Sequence, residues 1–579
     1  MLQPKGNFIT RQRRIALFAE AERAVEAFSL TERLIFCLIF IGLSASVAWM
    51  LTTINAAFLV EVPARGGTLT EGIIGTPRSI NPLLAITDAD KDLVALIYAG
   101  LLKATPSGEL IPDMAESVSV SPDGREYTFF IRADAYFHDG TPVTADDVIF
   151  TVTRAQDPVT RSPKRANWDG ITVEKIDDKT IRFALKEPYP PFLENATLGL
   201  LPRHLWRDVG PDEFAWSQWN IEPVGSGPYK LSKLKTNESR LPYLYILRSF
   251  RKYPLGEPKI QKIVFTFFGN ERAGLEALRR REIGSIGSLS PRETLDLSAN
   301  ARLDRYPLPR VFGVFFNQNQ APVLSLREVR QALNTATDRE IIVREVLRGF
   351  GSPIDSPVPL SLPPNANAAS TSAAAGRALL EKNGWSWNEE KQVMEKKSRK
   401  ETYTLAFSIS TSDAEELRGA AELLKDQWEK IGARIELKIF ETGDLNQDVI
   451  RPRKYDSLLF GEIVGRELDL FAFWHSSQRN DPGLNIALYA DAAADKLLEE
   501  ARAASELTVR REKYQRFAEI LTEDVPAVFL YSPDFIYVLP REVKGVGLGS
   551  ITTAAERFLN VHEWYIETDK VWNIFVNKN

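Results

Sequence analysis

The sequence predicts a mixed α/β chain of several packed units carried behind one membrane-spanning helix. Three observations predict it. Residues 34–60 carry no charge; strand-and-turn signals recur in pairs at 118–131 and 173–185; and short apolar runs at 403–408, 435–440 and 455–460 alternate with helical periods. The 579 residues exceed what one core usually organises, so two or three packed units are expected. With 44% apolar and 26% charged residues, the bulk has the composition of a folded globular protein. A net charge of -5 supplies no basic face for a phosphate backbone, which argues against nucleic acid as a partner.

The uncharged run is long enough to cross about 30 Å of hydrocarbon at roughly 1.5 Å per residue. Lys5, Arg11, Arg13, Arg14, Arg23 and Arg33 precede it, so the positive-inside rule places residues 1–33 in the cytoplasm and everything beyond Val60 outside. Small-residue stretches such as Ser44-Ala45-Ser46 and Asn55-Ala56-Ala57 admit a cleavage site, but the long N-terminal region and long apolar run favour an uncleaved anchor. The single cysteine, Cys37, excludes an internal disulfide framework. It follows Leu34, Ile35 and Phe36 rather than the small residues of a lipidation signal, and reads as an apolar helix residue. Residues 11–28, with Ile15, Phe18, Ala19 and Glu22 near helical spacing, suggest a cytoplasmic amphipathic helix.

Beyond the anchor, Gly66-Gly67-Thr68-Leu69 opens a strand, Ser79-Ile80-Asn81-Pro82 breaks it, and a helix is expected over 89–102. Residues 118–120 and 127–131 flank Ser121-Pro122-Asp123-Gly124 as a hairpin, Asp-Gly suiting the positive φ such a turn requires. Residues 173–176 and 180–185 repeat the pattern around Asp177-Asp178-Lys179. Residues 223–229 form a turn before strands at 243–247 and 260–268. Residues 327–348 are helical with a break at Asp338, and helices follow at 373–383 and 414–431, the last ending at Gly432 as a left-handed cap. The low-complexity stretch 365–375 reads as a loop.

Asp139, Asp146 and Asp147 make a tempting carboxylate cluster for acid/base chemistry. Thr144 ahead of Asp146 and Asp147 explains the last two better, as a capped helix start with acids at its positive end. The four histidines, His138, His204, His475 and His562, lie far apart without metal-ligand spacing; nucleophile-elbow, phosphate-loop and dinucleotide glycine motifs are all missing. The expectation is a protein that is not an enzyme and needs no cofactor.

One long ordered pattern is more specific. Ala115-Glu116-Ser117-Val118, Ser121-Pro122-Asp123-Gly124, Tyr127-Thr128-Phe129, Arg132 and the run from Phe137-His138-Asp139-Gly140 through Asp146-Asp147-Val148 are followed in order by residues 223–229, Phe316-Asn317, Val329-Arg330-Gln331-Ala332-Leu333, Asp338-Arg339, residues 379–385, residues 495–502 and residues 526–531. Over about residues 66–545 the chain resembles the oligopeptide- and dipeptide-binding family of ABC-importer solute-binding proteins. The resemblance implies a two-lobed type II periplasmic-binding-protein fold with an extra domain inserted in the first lobe. Residues 66–81, 206–308 and 533–579 would form lobe I, 82–205 the inserted domain and 309–532 lobe II, with residues 34–60 as anchor. It further implies a peptide or other small polar solute as ligand, with an ABC permease and ATPase as partners. A membrane-anchored sensor using the same clamp is the alternative.

Peptide-binding relatives hold the ligand's amino terminus with an aspartate before an Asp-Pro-like step in lobe II. Here the corresponding stretch, residues 460–471, puts Gly465 or Arg466 where that acid is expected and Leu470 where proline is. Glu462 and Glu467 are the nearby alternatives for pairing with an ammonium. Asp469 reads either as a ligand contact or as the cap of the segment beginning at Leu470. Trp474 and Asn485, in and after the loop with His475, Ser476 and Ser477, are expected to border the cleft, Trp474 as an aromatic face or alternatively as core. On the opposite side Ser79 and Asn81 lie at a chain break and Asn317 at a strand end, each expected to face the crevice.

Overall fold

A computed structural model describes residues 27–294, 302–358, 372–398, 401–466, 469–504, 506–549 and 551–576. The expected cytoplasmic amphipathic helix at 11–28 and Glu467 fall outside the described residues, apart from the last two residues of that helix. The described chain divides into two compact units, residues 1–64 with 567–579, and residues 65–566.

The first unit is built on the helix Leu30–Phe58, none of whose side chains is buried. It starts four residues ahead of the uncharged run because Ser29 and Glu32 form a capping box, the Glu32 carboxylate accepting the Ser29 N–H at 2.8 Å. It ends two residues short of the expected span, at Phe58, where Leu59 turns extended at φ -81°, ψ 128° and begins the strand Leu59–Pro63. That strand pairs antiparallel with Thr568–Trp572, from Leu59 opposite Trp572 to Pro63 opposite Thr568. Residues 567–576, expected in lobe I, therefore belong with the segment that follows this helix: Val60 and Val62 are β-branched, and they find a partner strand rather than continuing the helix.

In the second unit one twelve-stranded sheet runs through the described residues. At one end Gly66–Ile74 lies parallel to Ile260–Phe268 and to Ser285–Gly287, while Tyr229–Thr236 and Pro242–Ser249 extend the sheet antiparallel. At the other end Ala406–Ser412 lies parallel to both Arg434–Phe440 and Ser457–Ile463, and the latter pairs antiparallel with Arg310–Phe316. The long strand Ala527–Leu539 joins the two ends. Its first residues pair with Arg310–Phe316 and its last with Arg302–Pro307.

Midway, where Pro307 and Pro309 remove ladder donors, the two chain paths are stitched together: the Leu308 N–H donates to the Pro533 carbonyl at 3.0 Å, the Ser532 hydroxyl to the Leu308 carbonyl at 2.5 Å, and Arg305 pairs with Asp534 at 2.7 Å. The apolar interior separates on the same line. One cluster gathers residues from Leu69 to Leu308 with Phe535 to Trp564, and two others gather residues between Val311 and Tyr531.

The strands Ala115–Val120, Glu126–Ile131, Thr180–Ala184 and Thr172–Lys175 form a separate antiparallel sheet, over which Phe129, Phe183, Trp168 and Phe192 pack as an aromatic group. Gly124 turns its hairpin at φ 71° with its N–H on the Ser121 carbonyl at 2.9 Å. The helix Ala145–Gln156 opens with the Asp147 carboxylate accepting the Thr144 N–H at 2.8 Å. Asp146 pairs with Lys175 and Asp139 with His204. The three acids thus serve three different partners and make no acid/base cluster.

The helix expected over 89–102 is shorter, Asp88–Ile97, because the 223–229 turn packs against its end: a Cβ on Gly225 would stand 2.1 Å from the Ile97 carbonyl oxygen, and the Gly227 N–H donates to that oxygen at 2.8 Å. His138 closes the same junction, its Nε2 3.0 Å from the Gly227 carbonyl and its Nδ1 accepting the Gly225 N–H at 3.3 Å. The break at Asp338 is real: it separates helices Arg327–Ala336 and Arg339–Glu345, its carboxylate accepting the Ile341 N–H at 3.0 Å.

Deep in the first cluster, Arg557 is 2% exposed and pairs with Glu71 at 3.0 Å and Asp92 at 2.6 Å, while Tyr537 donates to Glu71 at 2.9 Å. Carboxylates from two distant segments meet on one guanidinium, which satisfies buried charges that would otherwise be strongly disfavoured.

Candidate ligand-binding site

A cavity of about 410 Å³ opens where residues from both sides of the sheet's midline converge. Its walls come from the helix Asp88–Ile97 and the chain after it, from residues 164–168 and 194–199, and from residues 552–559; Gly465 and Arg466 enter from the far side.

Arg466 gets there because the strand Ser457–Ile463 ends beside the midline, with the Val464 N–H on the Pro309 carbonyl at 2.9 Å, and the chain then turns across. Its side chain is 10% exposed, 2.7 Å from Glu556 and 3.7 Å from Glu194. Glu556 is itself fixed by the Thr552 N–H at 2.7 Å and hydroxyl at 2.6 Å. The Arg466 Nε has no hydrogen-bond partner among the described residues. One cation from the 457–466 segment is therefore gripped by carboxylates of the opposite wall, in surroundings where charge pairs are weakly screened.

Further in, Lys103 donates to the Tyr253 hydroxyl at 2.9 Å, which donates to Asp113 at 3.2 Å. Burial lowers the Lys103 pKa and raises that of Asp113 to about 6, Lys103 opposing the latter shift. Lys91 and Lys164 also line the space. The Lys164 pKa is lowered by desolvation and then by repulsion from Lys91, with Glu556 acting against both. The Tyr98 hydroxyl is buried there without a partner among the described residues. The cavity thus offers both signs of charge on fixed side chains and suits a small polar, charged molecule.

None of the described residues expected to touch ligand lines this cavity. Trp474 is 0% exposed, packed at 6.0 Å from Phe315 and 5.8 Å from Phe529. Asn485 spends its amide on the Trp474, His475 and Tyr489 carbonyls at 3.0 to 3.1 Å, which orders the loop. Asn317 donates to the Arg453 carbonyl and Asn81 to the Asn220 side chain, each at 3.0 Å, and the Ser79 N–H donates to Asp90.

Glu462 is 4% exposed and lies opposite Val311 in the ladder. Neither of its oxygens has a hydrogen-bond partner of good geometry among the described residues, and burial raises its pKa well above the carboxylate range, with the Trp474 indole opposing. Asp469 accepts the Phe471 N–H at 3.2 Å as a cap would, pairs with Arg502 and takes the Tyr189 hydroxyl at 3.2 Å. Sequence reasoning missed Glu194, Glu556, Lys103 and Asp113. The signal for Arg466 was present, as a cation standing where an acid was expected.

Among the described residues no group of three or more His, Cys, Asp or Glu side chains is placed to hold a metal ion. A second, 240 Å³ cavity beside Arg557 is lined by Asp88, Asp92, Glu271 and Ser288.

Residues 109–482 match the sequence profile of the bacterial extracellular solute-binding proteins, family 5 (middle). The oligopeptide-binding protein AppA of Bacillus subtilis is 27% identical over 496 residues, covering 83% of this chain and 89% of the relative. Among solved structures, NikZ from Campylobacter jejuni, in complex with Ni(L-His), is 26% identical with a TM-score of 0.67, covering 86% of this chain and 99% of that one. The substrate-binding protein CtaP from Listeria monocytogenes is 26% identical with a TM-score of 0.73, covering 87% and 100%.

Proposed function

The chain belongs to family 5 of the bacterial extracellular solute-binding proteins, and on that premise we propose that it takes up a peptide, or a related small polar solute, in the 410 Å³ cavity and delivers it to the permease and ATPase of an ABC importer. The fold is the two-lobed one of that family. We assign residues 66–81, 206–308 and 533–566 to lobe I, 82–205 to the inserted domain and 309–532 to lobe II. The stitched crossing at Leu308 and Pro533 supports the division, because two adjacent paths through one midline are what a hinge needs.

The observation that carries the ligand reading is Arg466: it reaches across the midline onto Glu194 and Glu556, so the cavity is closed by charge partners from both sides. An ammonium group on a ligand would meet the same two carboxylates. Calorimetry on the detergent-solubilised full chain against peptide pools tests the reading, with saturable heat expected. No heat with peptides, together with saturable binding of sugars, metal chelates or opines, would reject the peptide and keep the clamp.

The helix Leu30–Phe58 is read as a retained anchor with the bulk of the chain outside the cell. Its support is the bond from the Trp572 indole to Asn55 at 2.7 Å and the strand pair that follows the helix directly, since both build the end of the chain against the span. Intact-mass measurement on protein from the membrane fraction tests this; a chain beginning within or just after the helix, at either small-residue stretch, would reject it.

A further inference from the structure

The last strand of the chain runs back toward its own anchor. Leu59–Pro63 leaves the helix, and Thr568–Trp572 pairs with it antiparallel, so residues 568 to 572 travel toward the helix end. Trp572 arrives beside the last turn: its indole N–H donates to Asn55 at 2.7 Å and its ring stacks on Phe58 at 6.0 Å. Polarity follows the direction of travel. Thr568, Asp569 and Lys570 lie farthest out, opposite Pro63, Val62 and Glu61; Val571 and Trp572 come next; and the turn Asn573–Phe575 follows, with Ile574 75% exposed.

The helix length sets the depth of this arrangement. From Leu34 to Phe58 it spans about 37 Å at roughly 1.5 Å per residue, against about 30 Å of hydrocarbon, so a turn or so of helix lies in the interfacial layer. Asn55, three residues before the helix end, is at that boundary, and a tryptophan bonded there sits where amphipathic rings are favoured.

The geometry points to the outer-leaflet interface of the same bilayer as the place of the C-terminal turn, so that the chain meets the membrane twice, through its anchor and through its end. The inference rests on the retained-anchor reading. Its occupant is lipid rather than a second protein, because the exposed Trp572 and Ile574 continue the apolar surface of a helix that is itself exposed along its whole length.

Spin labelling of the full chain in phosphatidylethanolamine/phosphatidylglycerol vesicles tests it, with Ile574→Cys on a Cys37→Ser background and Val576→Cys as a second position should the first not fold. Val47→Cys and Glu61→Cys mark hydrocarbon and water. The expected result is collision with oxygen favoured over a water-soluble nickel chelate severalfold more at residue 574 than at 61. Chelate access equal to that at 61 would overturn the inference while leaving the anchor intact, as would oxidative cross-linking between two copies of the Ile574→Cys chain. An N-terminally cleaved chain, seen by mass, would remove the anchor reading and this inference together.

Discussion

Glu462, on the strand Ser457–Ile463, is shut in with Trp474, the acid 4% and the indole 0% exposed, and the indole favours the charged form of the acid. Burial raises the folded-state pKa of Glu462 well above its ordinary value. A raised acid contributes stability that is fully present below its unfolded pKa of about 4.5 and is lost as pH rises through the folded value. Glu462→Gln is expected to match the wild type near pH 4.5 and to melt progressively higher than it above that, by up to about 1.4 kcal/mol per pH unit inside the window. Thermal melts of both proteins across pH check it; parallel curves would show that the acid is charged in the fold.

Histidine titration acts in the opposite direction. Burial pushes the His138 pKa down to about 4 and that of His562 to about 3, where Lys103 and Lys259 add repulsion. A depressed histidine contributes stability present above about pH 6.5 and lost as pH falls through the window toward the folded value. Denaturant midpoints are expected to drop between pH 6.5 and 4. His138→Gln should flatten that slope by at most about 1.4 kcal/mol per pH unit while weakening the junction at all pH values.

Arg557→Met is expected to destabilise the protein by about 3–5 kcal/mol, since Glu71 and Asp92 would remain buried without their cation. Chemical denaturation checks this. Adding Glu71→Gln and Asp92→Asn should recover part of the loss, because neutral amides no longer require the guanidinium.

Gly225→Ala is expected to destabilise by about 1–3 kcal/mol or more, the new methyl group standing 2.1 Å from the Ile97 oxygen on a backbone that has no room to retreat. The same measurement on Gly140→Ala, where nothing lies within 4 Å but φ is 93°, separates crowding from backbone strain.

What could be read from the sequence was local. Thr144 and Asp147 are three residues apart, Ser121 and Gly124 likewise, and Asp338 caps a residue three positions on; each signal lies inside one turn of chain. The uncharged run announced the helix Leu30–Phe58 for the same reason. Arg557 and Glu71 are 486 residues apart, and Arg466 and Glu556 are 90 apart, so nothing in their neighbourhoods announces the partner.

The candidate ligand contacts failed to gather for a different reason. Trp474, Asn485 and Asn317 are residue types that suit a cleft wall and a loop interior equally, and only packing decides between them. Here Asn485 and Asn317 are consumed by backbone carbonyls and Trp474 by its aromatic neighbours. The C-terminal strand was misplaced because pairing partners of an edge strand are chosen by geometry that periodicity does not encode.

The strand Ala527–Leu539 belongs to both ends of the large sheet. Until residues 527–539 are in place, both ends of that sheet are therefore unfinished. During that interval the open edges of Arg302–Pro307 and Arg310–Phe316 invite pairing with other extended chains. Completion of the large sheet therefore waits on one strand that lies late in the chain.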